Sequence, residues 1–189
     1  MSQAAAKNTQ SSKFSVREIC YTGLFAAVIA VMAQISIPMP LGVPMTMQTF
    51  AITLAAVVLG SKLSAMASLV YLILGAVGVP VLASFSGGID KFVGPTGGFL
   101  ISVPLLAYII GLGVEHRNAF KGAFPLAVVV GTVVNYIVGV ILFVIVAHST
   151  VAVAISACVL PFIPTAILKA VLACAIGLNI RKRIPGLKA

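Results

Sequence analysis

A chain of 189 residues with 61% apolar and 8% charged residues has too few charges to cover a water-facing surface, since soluble domains carry about 25%. At about 20 apolar residues per span, its length allows at most about six or seven membrane helices and no additional soluble catalytic domain. A net charge of +9 with a mean hydropathy of +1.20 then reads as basic residues gathered at one membrane face, not as a nucleic-acid surface.

Residues 1–13 are small and polar and are expected to be disordered. The following apolar run is too long for a signal-peptide core and no small-x-small site closes it, so it reads as a retained first helix over 17–37. Pro38, Pro40 and Pro44 forbid its continuation. A second helix is predicted over 48–60 and a third over 63–77. Both are short for a full span and must be tilted, bent or shielded by neighbours. A Gly-rich connection over 78–98 precedes a fourth helix over 99–114 and a fifth over 120–147. The last apolar run, 151–180, is broken by Pro161 and Pro164, so the sixth helix proper should start near Pro161. Cys20, Cys158 and Cys174 are widely spaced with no CxxC pair and read as small apolar packing residues.

With six spans, ten of the twelve Lys and Arg residues fall on one side: Lys7, Lys13, Arg17, Lys62, Arg117, Lys121, Arg181, Lys182, Arg183 and Lys188. The positive-inside bias makes that side, with both termini, cytoplasmic. Lys91, in the outward Gly-rich loop, and Lys169, inside the sixth helix, are the exceptions. A mid-membrane lysine costs about 2.5–3.5 kcal/mol on insertion scales unless a partner or water compensates. Snorkelling is one outlet for Lys169, and a polar cavity is the stronger reading.

The 78–98 loop faces the same outer side. Its glycines let backbone amides approach a ligand, and Gly94-Pro95-Thr96-Gly97-Gly98 runs directly into the fourth helix. Ser84, Phe85, Gly87, Gly88 and Lys91 in the loop, and Phe99 at its end, are ligand-binding candidates; an ordinary solvated loop is the alternative. Asn135 either bonds a neighbouring helix or faces the ligand. Thr46 and Gln48 either cap the second helix or reach the ligand. A small-residue stripe through Ala26 and Ala30 suits close packing within the protein or against a partner. GxSxG, HExxH, paired intramembrane carboxylates, charge rings and filter repeats are all absent, which disfavours enzymes and channels. No catalytic residue, metal or cofactor is expected.

Several segments together resemble the biotin-specific S component (BioY) family of energy-coupling-factor transporters. They are Ala26-Ala27 through Gln34-Ile35-Ser36-Ile37-Pro38, Val43-Pro44-Met45-Thr46-Met47-Gln48-Thr49, Leu59-Gly60, Tyr71 to Gly75, Gly78-Val79-Pro80-Val81, Gly87-Gly88, Gly94 to Leu100, Pro161 to Pro164 and Lys169-Ala170. The resemblance implies an all-α integral membrane protein of a prokaryotic cell membrane, with a six-helix substrate-binding domain over 14–183 and a cytoplasmic tail over 184–189. It implies biotin as the transported ligand, with Lys91 a candidate for the carboxylate and Lys169 for the polar head near Asn135. It also implies a membrane coupling subunit, contacted through Ala26 and Ala30, and two cytoplasmic ATPase subunits. The family commonly has an acidic residue three positions before the lysine of the sixth helix, where this chain has Ala166, and often tyrosine in place of Phe99. An S component for another small vitamin-like carboxylate, or a non-catalytic membrane partner subunit, are the alternatives.

Overall fold

The computed structural model describes residues 15–39, 42–117 and 122–184. The expected disorder of 1–13, most of the tail, and Pro40, Lys7, Lys13, Lys121 and Lys188 lie outside the described residues. Helix α1 (Val16–Ala33) opens on a capping box, with the Ser15 amide donating to Glu18 at 2.8 Å. It ends earlier than its hydropathy predicts. Ser36–Ile37 (β1) turns into extended backbone ahead of Pro38 and pairs antiparallel with Met45–Thr46 (β2), Ser36 opposite Thr46.

Helices α2 (Gln48–Leu59) and α3 (Ser61–Ala76) follow, separated by Gly60 at φ 86°, a conformation glycine adopts without strain. The Gly-rich connection holds a 3-10 turn (Ala83–Phe85) and the short α4 (Asp90–Val93). The predicted fourth helix is two pieces, α5 (Gly97–Ile101) and α6 (Val103–Glu115), broken at Ser102 because Pro104 offers no N–H. Next come α7 (Ala123–Val146), α8 (Val151–Cys158), a 3-10 turn (Leu160–Phe162) and α9 (Ile163–Arg183). Pro161 and Pro164 interrupt the last apolar run, as the sequence predicts. Among the described residues four stretches are long and apolar enough to cross a membrane, while α2 and α3 are shorter apolar helices.

Helix α2 lies at the centre. Every residue from Phe50 to Leu59 is buried, and α1, α3, α6 and α9 all pack on it. A helix apolar all round belongs in such an interior, and its neighbours compensate for its shortness. Helix α1 turns Phe25, Ala26, Ile29 and Ala33 into this core. Ala26 is only 4% exposed and Ala30 half-buried, so the small-residue stripe expected to meet a partner packs against α2 and α3 within the chain. The outward face carries Leu24, Ala27 and Val31 instead.

One end of the bundle is tied by charge. The Glu115 carboxylate, on the last residue of α6, accepts from the Ser61 amide at 2.7 Å and from the Ser61 hydroxyl at 3.0 and 2.9 Å, satisfying the first turn of α3. Arg181, counted in sequence only among the charges of the cytoplasmic side, is a buried residue within α9. Its Nη1 donates to the carbonyls of Val57 (3.2 Å) and Val58 (3.0 Å) at the C-terminus of α2. Glu115→Ala should cost about 1–3 kcal/mol by leaving the Ser61 amide uncapped, seen as a lower thermal midpoint in detergent. Glu115→Gln, which retains one accepting oxygen, should lose less.

Candidate functional site

At the other end, around the N-terminus of α2, lies a cavity of about 330 Å³. Lys169, in the first half of α9, reaches it and donates from Nζ to the Thr46 carbonyl at 2.7 Å, so a backbone oxygen meets the cation that the sequence left without a carboxylate. Lys91 also lines the cavity and pairs with Asp90 at 3.3 Å, with side chains 43% and 67% exposed. Among the described residues no Asp or Glu is on the wall, so the lining carries positive charge only.

Gln48, on the first turn of α2, is buried, yet its Nε2 has no hydrogen-bond partner among the described residues. The residue is one of those lining the cavity, and a buried donor without a partner is costly, so it is the polar group of α2 most open to a change at this site. Thr46, beside it, accepts from the Gln48 amide through Oγ1 at 3.3 Å. Asn135 makes the inter-helix bonds that one of its two sequence readings expects, and it also stands on the cavity wall. Its Nδ2 donates to the Phe99 carbonyl (3.1 Å) and the Ser102 hydroxyl (2.8 Å), bracing the α5–α6 break, while the residue forms part of the wall.

Phe99 lines the cavity and stands edge-on to Tyr136, with ring centroids 6.5 Å apart and an interplanar angle of 76°. Gly139 on α7 makes room for the Phe99 ring, and Gly98 lets α5 approach the backbone of α7 at Val138. Ser84 and Thr96 complete the group of expected residues that meet here.

The other loop residues do not line the cavity. Phe85 is 72% exposed and lies off the wall. Gly87, Gly88, Gly94 and Gly97 also lie off it, and their role is compaction of the loop on itself. A side chain at Gly87 would meet the Val79 carbonyl, one at Gly97 would meet the Phe92 carbonyl, and the Gly97 amide is bonded to the Gly94 carbonyl at 2.9 Å. The amide cradle expected of the glycine segment is therefore used internally.

Sequence reasoning missed Thr132, Tyr136, Cys158, Phe162 and Thr165 on the wall, together with Ala166, noted in sequence only as a departure. Helical spacing was the available signal. Thr132 lies three residues before Asn135 and Tyr136 four after Thr132, and Thr165 and Ala166 lie four and three residues before Lys169.

A family model described as the BioY family matches residues 6–186. The chain belongs to the BioY family. It is 40% identical over 168 residues to the biotin transporter BioY of Thermotoga maritima, covering 88% of this chain and 97% of that protein. It is 34% identical over 186 residues to the biotin transporter BioY of Rhizobium etli, covering 93% and 98%. The crystal structure of the S-component for biotin from an ECF-type ABC transporter superposes with a TM-score of 0.79 at 26% identity, covering 95% of this chain and 96% of that one. The likeness thus spans both the bundle and the segments around the cavity, and this BioY chain is an all-helical membrane protein of the S-component fold.

The bracing role of Asn135 can be measured. Asn135→Leu removes the donor from two acceptors at the α5–α6 break and should destabilise the protein by about 1–2 kcal/mol, read as a lower thermal midpoint in detergent. Asn135→Ala, which cannot fill the space with apolar contacts, should lose at least as much.

Proposed function

We propose that this chain is the substrate-binding subunit of an energy-coupling-factor importer that captures biotin, and that its role is binding and not catalysis. The single observation that carries the reading is a cavity lined by two lysines, Gln48, Asn135 and an aromatic wall, with no carboxylate among the described residues, in a chain of the BioY family. Biotin offers the matching groups: a carboxylate, a ureido carbonyl and an apolar bicycle.

Desolvating an ionised carboxylate costs more than desolvating a neutral urea. The carboxylate therefore goes to half-exposed Lys91, whose exposed pairing with Asp90 is weak enough to exchange. The ureido group goes to Lys169 and Asn135, with Gln48 and Thr46 beside them and Phe99 against the bicycle. Ser84 and Thr96 close the wall. Phe85, Gly87, Gly88, Gly94 and Gly97 support the loop and do not touch the ligand.

Arg17, Lys62, Arg117, Lys182 and Arg183 accompany the Glu115–Arg181 end of the bundle. The positive-inside bias makes that end cytoplasmic and the cavity outward-facing, with six crossings and both termini inside a prokaryotic cell membrane. The chain carries no phosphate-binding loop, so transport draws on a membrane coupling subunit and two ATPase subunits. No cofactor is required.

Purified protein should bind labelled biotin saturably; binding no higher than background, or stronger binding of another small vitamin carboxylate, would reject biotin as the substrate. Lys169→Ala should weaken binding at least about tenfold, or about 1.4 kcal/mol. Lys91→Met should narrow the preference for biotin over biotinamide, whereas Lys169→Ala should leave that preference in place. Uptake into liposomes should require the coupling and ATPase subunits.

A further inference from the structure

Gln34 lies off the cavity wall, at the end of α1, and makes contacts that biotin recognition does not use. Its Nε2 donates to the Ala30 carbonyl of its own helix and to the Val81 carbonyl of the Gly-rich connection, both at 2.9 Å. Its Oε1 accepts the Phe85 amide at 2.7 Å. Two residues further on, the Ser36 hydroxyl in β1 lies 2.9 Å from the Ser84 hydroxyl. One primary amide therefore grips a turn some fifty residues away through both of its functional ends.

That turn is part of the cavity wall. Leu82, Ala83, Ser84 and Ser86 line the cavity, and the turn closes on itself through Leu82 N to Ser86 O at 2.9 Å and Ser86 Oγ to Ala83 O at 2.7 Å. Ser84 (φ 58°) and Phe85 (φ 54°) are consecutive non-glycine residues in the left-handed region. Such a conformation is disfavoured for L-residues and persists only when surrounding contacts hold it. Beside the turn's own bonds, the side-chain hydrogen bonds that reach Ser84 and Phe85 from another element are those of Gln34 and Ser36. On its other side Gln34 leads into the β1–β2 hairpin, where the Met47 amide bonds the Ile35 carbonyl at 3.0 Å and the Thr46 carbonyl accepts from Lys169. The hairpin, the 82–86 turn and α9 are thus linked around the mouth by a short chain of hydrogen bonds.

We propose that Gln34 is a positioning residue that latches the 82–86 turn onto the β1–β2 hairpin, and thereby sets how fast solute enters and leaves without touching it. The proposal rests on the biotin reading for its solute. Freeing the latch lets the mouth open more often, so association and dissociation should both accelerate while the equilibrium constant changes less than either rate.

The test measures association and dissociation of labelled biotin on the purified full chain, with Gln34→Met, Gln34→Glu and Ser36→Ala. Gln34→Met removes both polar ends at similar length, and both rates should rise about tenfold, as expected when a closed state loses a hydrogen-bonded contact. Gln34→Glu keeps an acceptor for the Phe85 amide but loses the donor to Val81, and should fall between wild type and Gln34→Met. Ser36→Ala should shift the same rates by a smaller factor, and carries the test with Gln34→Glu if Gln34→Met does not fold. Unchanged rates, or faster dissociation without faster association, would overturn the proposal. The second pattern would mean that the turn only completes the wall. Hydrogen exchange at residues 81–86 without ligand separates the two hypotheses. If wild type binds no biotin, the solute assignment fails, and unaltered exchange in Gln34→Met would independently reject the latch.

Discussion

A central helix too short to cross the bilayer is the constraint on which the remaining structure depends. The 12 residues of α2 span about 18 Å, against about 30 Å of hydrocarbon. Both ends of the helix consequently stop inside the bundle, where backbone polar groups must be satisfied by protein. Helix α9 supplies part of this at each end. Lys169 and Arg181 are twelve residues apart, about 18 Å of helix, and they bond the Thr46 carbonyl just before α2 and the Val57 and Val58 carbonyls at its close. Two cations that are costly to bury become the fasteners of the helix that needs them, and the match in length sets α9 against α2.

The cavity follows from the same shortness. Where α2 begins late, the space beyond its first turn is enclosed by the hairpin, the Gly-rich connection and the interrupted ends of other helices. The α5–α6 break at Ser102 and the α8–α9 break around Pro161 both bring irregular backbone to this level. Irregular backbone at membrane depth is tolerated where it lines a cavity or is buried in protein. Asn135 shows how the cost is met: its amide group supplies donors to the freed carbonyl and hydroxyl at the break. Gly98 and Gly139 then allow α5 and α7 close enough for Phe99 to reach the wall.

Much of this was legible in the sequence because it depends on cost. A lysine in an apolar run has to be explained locally, and Lys169 does reach a cavity; the prolines likewise mark real breaks. What depended on long-range partnership was not legible. Arg181 follows an apolar run and reads as a tail charge, because nothing local announces the α2 carbonyls beside it. Ala26 and Ala30 read equally well as an outer or an inner face, since spacing shows that a stripe is small but not what covers it. The glycines of the 78–98 connection suggest close approach but do not say to what: for Gly87 and Gly97 the partner is the loop's own backbone, and for Gly98 it is α7. Gln34 enters only as part of a family-like segment, and nothing local announces its partners, which lie some fifty residues away. Thr132 and Thr165 were within reach, because three- and four-residue spacing from Asn135 and Lys169 already points to them, and Tyr136 follows at one more four-residue step from Thr132.

The distribution of charge connects this architecture to the proposed role. Neither cavity lysine meets a carboxylate on the wall, so positive potential is left for an anionic solute to complete, and a solute that completes it leaves slowly. Tight capture and rapid release conflict in a receptor with one fixed cavity, since affinity among related binders is set mainly by dissociation. Something has to lower that barrier after capture, and the sequence holds no phosphate-binding loop motif. The Glu115–Arg181 end, where α2, α3, α6 and α9 converge, is one helix length from Lys169 through α2 and α9. A partner that displaced α9 from outside would strain the Thr46–Lys169 contact and the hairpin together, loosening the cavity without entering it. The short helix that creates the pocket would thus also provide the rigid element through which external work could open it.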